Sequence, residues 1–387
     1  MEKLGVVANT GKKHERRVPT HPAHLPRLDS GLRSRLFLES GYGAWFGMTD
    51  DDLRPHVAGI RPRADLIPDC DALVLFKVTP QDVAALRERH ILIGAPHFAQ
   101  NPETTQLAID KRLTVISMEA MRHWPNGGTG AGFARWVFSR VSEMAGYCSV
   151  QHALQCVGLT GRWGRPLRAA VIGFGSTGHG AVAALRAQGV EDLTLVTRRP
   201  SAAVRPPTGA TRMAQLRHRP APGSSTVRLA DGEVPLPPFL AEHDIVVNCV
   251  LQDVTAPEVY LTEEDLARFA PGSLIVDVSC DTGMAFGWAR PTSFDRPTRT
   301  VGGHVRYYAV DHSPSLLWNS ATWELSQALL AYLPTLADPR SWDADETIRR
   351  AVEMRDGVIQ NPSILAYQGR SPAYPHHPTT PASPVEV

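Results

Sequence analysis

The sequence predicts an α/β protein with parallel sheets, on three observations. Short apolar runs alternate with helical stretches between Leu4 and Ala120, the rhythm of strands joined by crossover helices. The alternation starts again at Arg168 and runs to Asp281. At that restart, "RAAVIGFGSTGHGAVAALRAQG" joins an apolar strand to an Ala-rich helix through a glycine-rich turn, the layout of a nucleotide-binding βαβ unit.

In chain order, "LGVVA" (Leu4 to Ala8) predicts the first strand and "HPAHLPRLDSG" a helix ending near Gly31. "RLFLES" predicts a strand, and Thr49 in "GYGAWFGMTDDDL" caps an acidic first turn. "ALVLFKV", "HILIGAP" and "LTVISMEA" predict three more strands, with "QDVAALRER" and "NPETTQLAIDKR" as the helices between them. After the glycine-rich "NGGTGAG", the stretch "GFARWVFSRVSEMAGYCSVQHALQCVG" predicts a long helix joining two domains. In the second half "DLTLVTRR", "DIVVNCVL" and "SLIVDVSCD" predict buried strands. Pro200 to Pro238 is rich in Pro, Arg, Ser and Gly and predicts irregular surface loop. "SPSLLWNSATWELSQALLAYLPTL" predicts one long helix from its apolar spacing. The Pro-rich tail 368–387 predicts disorder.

Composition excludes some classes of partner. A net charge of +1 over 387 residues recruits neither nucleic acid nor an anionic membrane. The 5 cysteines form no CxxC pair, so no metal site is expected. An odd number of scattered cysteines and an N-terminus without a signal pattern fit reduced thiols and a cytoplasmic location.

Gly173, Gly175 and Gly178 form GxGxxG. The first glycine permits the tight turn, the second lets backbone approach a diphosphate, and the third lets helix and strand pack closely. The diphosphate is expected at the helix N-terminus, near Ser176 and Thr177. Val250, after the third strand of this unit, is placed on the cofactor side as well. A carboxylate at the end of the second strand would bind the ribose 2′-hydroxyl of NAD. "VTRRPS" offers Arg198 and Arg199 instead, with the hydroxyls of Thr197 and Ser201. Guanidinium groups favour a 2′-phosphate, so NADP(H) is expected in preference to NAD(H).

The motifs around this fingerprint resemble the alanine dehydrogenase and pyridine nucleotide transhydrogenase N-terminal superfamily. They are "ERRVP", "GYGAWFGMTDDDL", "LFK", "IGAPHF", "SMEAM", "SEMAG", "VDVSCDTG", "RPTSFDRPT" and "VDHSPSLL", in the family's order between residues 4 and 335. Within the superfamily, the chain is most similar to the branch of N5-(carboxyethyl)ornithine synthase and lysine-forming saccharopine dehydrogenase. The resemblance implies two Rossmann-like domains with the active site in the cleft between them. The implied division is a substrate domain of 1–137 plus 311–367 and an NADP(H)-binding domain of 138–310.

The resemblance also implies roles. Lys77 and His97 match the catalytic lysine and histidine. Arg17 matches the arginine that binds a keto-acid carboxylate, and Glu119 a glutamate lining that pocket. Ser142 matches a serine near the cofactor phosphates, and Asp281 an aspartate near nicotinamide and substrate. Asp311 and His312 join the substrate side, with Arg16, Arg135 and His312 as candidate cations for a second carboxylate. Without the resemblance, Lys77 at a strand end reads as a solvated charge and Asp281 in "CDTG" as turn chemistry. Lys77 and His97 each close an apolar strand, where α/β sheets bind ligands.

The leading expectation is reductive condensation of pyruvate or 2-oxoglutarate with an amino acid such as ornithine or lysine, driven by NADPH. The alternatives are an alanine or amino-acid dehydrogenase using free ammonia, and a non-catalytic NADP(H)-binding sensor. Partners are small molecules, with a homo-oligomer open.

Overall fold

The computed structural model describes residues 1–124, 135–200, 204, 211–253 and 256–379. They form two compact units, one of Met1–Ser139 with Trp318–Val387 and the other of Arg140–Leu317. Asp311 and His312 therefore belong to the second unit, a few residues before the chain returns to the first.

The first unit opens with β1 (Leu4–Val6), β2 (Leu36–Glu39), β3 (Gly59–Arg61), β4 (Ala72–Leu75), β5 (Ile91–Gly94) and β6 (Thr114–Ser117). These run parallel in the spatial order β3-β2-β1-β4-β5-β6. Order reverses between β1 and β4, and such a switch point opens a crevice at the strands' carboxyl ends. Helices α1 (Arg63–Asp69), α2 (Pro80–Ala85) and α3 (Pro102–Asp110) make the crossovers. Thr79 starts α2 with a capping box to Asp82, and Thr49 does the same with Asp52 for the turn Asp50–Leu53. The sequence 21–31 is not one helix. A 3-10 segment, Pro22–Arg27, with Pro26 inside it, stops at Leu28, and Asp29 caps a new turn at Ser30.

The second unit begins on α4 (Ser139–Val157). Residues 135 and 136 before it pair as strand rather than helix. Then follow β7 (Arg168–Ile172), α5 (Ser176–Ala187), β8 (Asp192–Thr197), β9 (Thr211–Arg217), β10 (Thr226–Leu229), β11 (Gly232–Pro235), α6 (Leu236–Ala241), β12 (Ile245–Asn248), β13 (Leu274–Asp277), β14 (Thr298–Val301) and β15 (Val305–Tyr308). The sheet order is β11-β10-β9-β8-β7-β12-β13-β15-β14. Its middle is parallel, and β10, β11 and β14 add antiparallel edges. Within the stretch expected to be loop, the described residues carry β9, a β10–β11 hairpin and α6. Alternation explains it, since Ala214, Leu216 and Val227 are buried between exposed arginines.

Alternation also builds two cores on this sheet. Ala169, Val171, Leu193, Leu195, Ile245 and Val247 face one side with α4 and α5. Ala170, Ile172, Val196, Val246 and Ile275 face the other. A parallel sheet buried on both faces needs such near-continuous apolar strands.

The first unit is completed by α7 (Trp318–Leu329), α8 (Glu346–Ala351), β16 (Val352–Arg355), β17 (Val358–Ile359) and α9 (Pro362–Gln368). The stretch 313–336 is not a single helix: a 3-10 turn over Ser313–Leu317 precedes α7, and a separate turn covers Leu333–Leu336. β16 extends the sheet antiparallel beyond β6. Residues 368–379 pack rather than dangle. The His376 ring is fully buried and accepts from the Ile359 N–H at 3.0 Å. Among the described residues no helix is long and apolar enough to cross a membrane.

Candidate functional site

Three side chains meet at the carboxyl ends of β4, β5 and β6. Lys77 Nζ lies 2.7 Å from His97 Nε2, and the same ring nitrogen lies 2.9 Å from Glu119 Oε1. Both carboxylate oxygens of Glu119 also accept from the His97 backbone N–H, at 3.2 and 3.1 Å. Lys77 and His97 both adopt left-handed backbone, φ 61° and 48°. Non-glycine residues rarely hold that conformation without a surrounding structure that imposes it. It turns both side chains out of their strand ends toward each other.

This contact constrains the protons. A nitrogen–nitrogen hydrogen bond needs one N–H and one lone pair, so in the Lys77–His97 contact one nitrogen donates to the other. Nε2 holds at most one hydrogen, yet faces both Lys77 and Glu119. A proton can thus pass along the three groups without large movement. Burial alone pushes the Glu119 carboxyl up, but His97 and Lys77 outweigh it and hold it below its ordinary range.

Arg17 follows β1 on the same side of the sheet. Its guanidinium stacks on Phe76, 4.7 Å from the ring centroid, beside Lys77. Glu15 clamps it through Nε at 2.8 Å and Nη2 at 2.5 Å, a carboxylate that sequence reading missed. Glu15 takes two of the guanidinium's five N–H groups. The loop is held by Val18 N–H donating to Thr322 of α7 and by the Tyr42 hydroxyl bridging Thr20. Arg16 stacks instead on the exposed Trp45, 4.4 Å away.

In the second unit, the switch point lies between β7 and β12. Gly173 takes φ 88°, and its N–H bonds the Val196 carbonyl at 2.8 Å. A Cβ at Gly178 would lie 2.2 Å from the Gly173 carbonyl oxygen, whereas one at Gly175 meets nothing within 4 Å. The helix is thus pressed onto the turn while space stays open over Gly175, where α5 begins with Ser176 and Thr177. That cradle fits a diphosphate on free N–H groups. Val250 Cγ2 stands 2.9 Å from a Cβ placed at Gly173, which puts it at the turn.

Ser142 rides on α4, one turn before Gly146. A Cβ on Gly146 would come 1.9 Å from the Thr177 carbonyl oxygen, and one on Gly180 1.7 Å from that of Glu143. The two helices touch backbone to backbone beside the glycine turn, a contact that the motif "SEMAG" did not disclose as packing. Gly180→Ala is therefore expected to destabilise the second unit by about 2 kcal/mol or more, as overpacking does, read as a lower Tm with weakened nucleotide binding.

The arginine cradle is only partly as expected. The Arg198 guanidinium pairs with Glu258, which also lies 3.3 Å from His218 Nδ1. Arg199 reaches back to the Phe174 carbonyl inside the fingerprint turn. The Thr197 hydroxyl accepts from the Arg199 N–H at 3.3 Å. Ser201 lies outside the described residues. Sequence reading placed no carboxylate at this strand end, because Glu258 arrives from a distant loop.

Asp281 follows Cys280, which takes φ 49°. The buried carboxyl in this segment is Asp277, which accepts from Asn248, the Cys280 N–H and the Tyr307 hydroxyl. Burial first, and the nearby charge of Asp281, push it up to about 6. Asp311 accepts from His312 Nδ1 at 2.6 Å, and the buried His312 ring meets Phe294 edge-on at 4.7 Å. The structure thus gathers Lys77, His97 and Glu119, sets Arg17 beside them, and brings Gly173, Gly175, Ser176, Thr177, Gly178, Arg199 and Val250 together at the second unit's turn.

Two family models match this chain in sequence. The alanine dehydrogenase/PNT N-terminal domain matches residues 5–133 and the C-terminal domain residues 145–362. A fold of two Rossmann-like units with such a glycine turn is that of a pyridine-nucleotide oxidoreductase. The chain belongs to the alanine dehydrogenase/PNT family. It is similar to alanine dehydrogenase of Halomonas elongata, 29% identical over 361 residues, covering 90% of this chain and 92% of that protein. It is also similar to N(5)-(carboxyethyl)ornithine synthase of Clostridium botulinum, 25% identical over 327 residues, covering 80% and 90%. The solved structure of an L-alanine dehydrogenase shares the fold, with a TM-score of 0.72 at 20% identity, covering 94% of this chain and 98% of that one.

Proposed function

We propose that the chain forms a secondary amine by NADPH-dependent reductive condensation of an α-keto acid, pyruvate or 2-oxoglutarate, with an amino acid such as ornithine or lysine. The observation that carries this reading is the Lys77–His97–Glu119 contact at three adjacent strand ends. Arg17 holds the keto-acid carboxylate. The donor amine adds to the keto carbon, and water leaves to give an imine. Both steps need protons moved on and off one oxygen, and the Lys77–His97 hydrogen bond, backed by Glu119, serves them. Acid and base roles stay open between Lys77 and His97. The nucleotide, when bound on the second unit, supplies the hydride that reduces the imine carbon. Ser142, Gly173, Gly175, Ser176, Thr177, Gly178 and Val250 surround its diphosphate. Asp281, Asp311 and His312, all on the second unit, are assigned to substrate binding in this reading. An amino-acid donor is favoured by "VDHSPSLL", which resembles the carboxyethylornithine and saccharopine enzymes.

The preference for NADPH rests on Arg199, which stands between the end of β8 and the glycine turn. Arg198 contributes less, because Glu258 already occupies it. Arg199→Ala is expected to lower the preference for NADPH over NADH by about ten- to hundredfold, the loss of one charge-assisted contact. Arg198→Ala is expected to change it by less. Competitive titration of both nucleotides reads the difference, and an unchanged preference in Arg199→Ala removes the argument.

A second reading, amino-acid dehydrogenation with free ammonia, is favoured by the higher identity and coverage of the Halomonas elongata alanine dehydrogenase. NADPH consumption with a keto acid, offered ammonium or an amino acid, separates the two.

A further inference from the structure

The carboxylate at the end of β8 does not belong to that strand. Glu258 enters from the segment between β12 and β13, sixty residues beyond Arg198. Its side chain pairs with the Arg198 guanidinium and lies 3.3 Å from His218 Nδ1. β8 and β9 are parallel neighbours, with Thr197 beside Gln215, so Arg198 and His218 leave the same end of the sheet. The Glu258 side chain is 15% exposed, whereas that of Arg198 is half exposed.

The pair is positioned by groups outside it. The Gln252 side chain holds the Glu258 backbone twice: Nε2 donates to the Glu258 carbonyl at 3.0 Å, and Oε1 accepts from the Glu258 N–H at 2.7 Å. Gln252 comes shortly after Val250, which stands at the glycine turn. On the other side, Gln215 Nε2 donates to the Arg198 carbonyl at 3.1 Å.

The end of the second strand is where this fold reads the ribose 2′ position. A carboxylate there accepts from a 2′-hydroxyl, and an arginine takes up a 2′-phosphate. Here the two opposite readers face each other. The carboxylate occupies N–H groups of Arg198 that a phosphate would use, and its charge repels that of the phosphate. Arg199 is turned elsewhere, to the Phe174 carbonyl.

We propose that Glu258 is a specificity-determining residue for the nucleotide: by holding Arg198 it restrains the preference for NADPH and keeps NADH admissible. The proposal rests on reading the end of β8 as the ribose site. Glu258→Gln keeps the side-chain length and leaves the Gln252 bonds, which go to backbone, but carries no charge. Arg198 is then released for a 2′-phosphate.

The experiment titrates NADPH and NADH separately into the full chain and reads each Kd from the nucleotide's fluorescence. No substrate is needed, so a wrong substrate does not affect the result. In Glu258→Gln the ratio of the NADH Kd to the NADPH Kd is expected to rise about tenfold, as one charge-assisted hydrogen bond is gained. Arg198→Ala placed in the Glu258→Gln background is expected to erase that gain, because residues in contact do not act additively. If Glu258→Gln does not fold, Glu258→Asp carries the test. It draws the carboxylate back from Arg198 by one methylene and is expected to shift the ratio the same way by less. An unchanged ratio in a folded variant overturns the proposal. A gain that survives the loss of Arg198 also overturns it, because Glu258 would then act without that partner. A wild-type chain that binds neither nucleotide overturns both this proposal and the cofactor reading. A wild type that prefers NADH, with the ratio still raised by Glu258→Gln, upholds the proposal and sinks the NADPH reading instead.

Discussion

Lys77→Met is expected to lower kcat by about 10²–10⁴-fold, the range for losing positioned proton transfer. The effect follows from the 2.7 Å contact between Lys77 Nζ and His97 Nε2. Methionine fills the same space but has no proton and no lone pair suited to imidazole. His97 then loses its hydrogen-bond partner on Lys77 and keeps only Glu119. The nucleotide turn lies on the other unit, so the Kd for NADPH is expected to stay within about threefold, well under the ~1.4 kcal/mol that a tenfold change represents. Stopped-flow turnover and a binding titration on the same preparation read both. Retained turnover removes Lys77 from the chemistry. Lost nucleotide binding means that the variant has disturbed the fold.

Arg17→Met is expected to damage both substrate binding and the fold. Arg17 and Glu15 side chains are 2% and 1% exposed. Removing one partner of so buried a pair costs about 3–5 kcal/mol, because the remaining charge stays out of water. The keto acid loses its bidentate cation too, so KM is expected to rise about ten- to hundredfold. Denaturant unfolding reads the first effect and initial rates the second. The double variant Arg17→Met with Glu15→Gln separates them. It is expected to recover much of the stability, because both members of the buried ion pair are neutralised together, and none of the KM. Recovery of both would show that Arg17 only supports the fold.

The parallel strands were legible because each is a short apolar run, and a strand buried on both faces can be little else. Strand-end residues were legible for the same reason: Lys77 and His97 interrupt apolar runs, and the chain must turn there. Partners were not. Glu15 sits in a basic run that reads as solvent-exposed, and only the fold shows it clamping Arg17. Glu258 reaches Arg198 from sixty residues away, a separation that no local pattern records. The hairpin at 226–235 was hidden by surrounding Pro and Gly, although "VRLADGEV" carries turn residues between alternating ones.

In the proposed reaction an amino acid supplies the nitrogen. Its most direct test is NADPH consumption with pyruvate or 2-oxoglutarate, offered ammonium or each amino acid in turn, with products weighed by mass spectrometry. Consumption is expected only when an amino acid is present. The product mass then equals keto acid plus amino acid, less one water, plus two hydrogens. Consumption with ammonium alone, yielding alanine or glutamate and no condensed product, would contradict it.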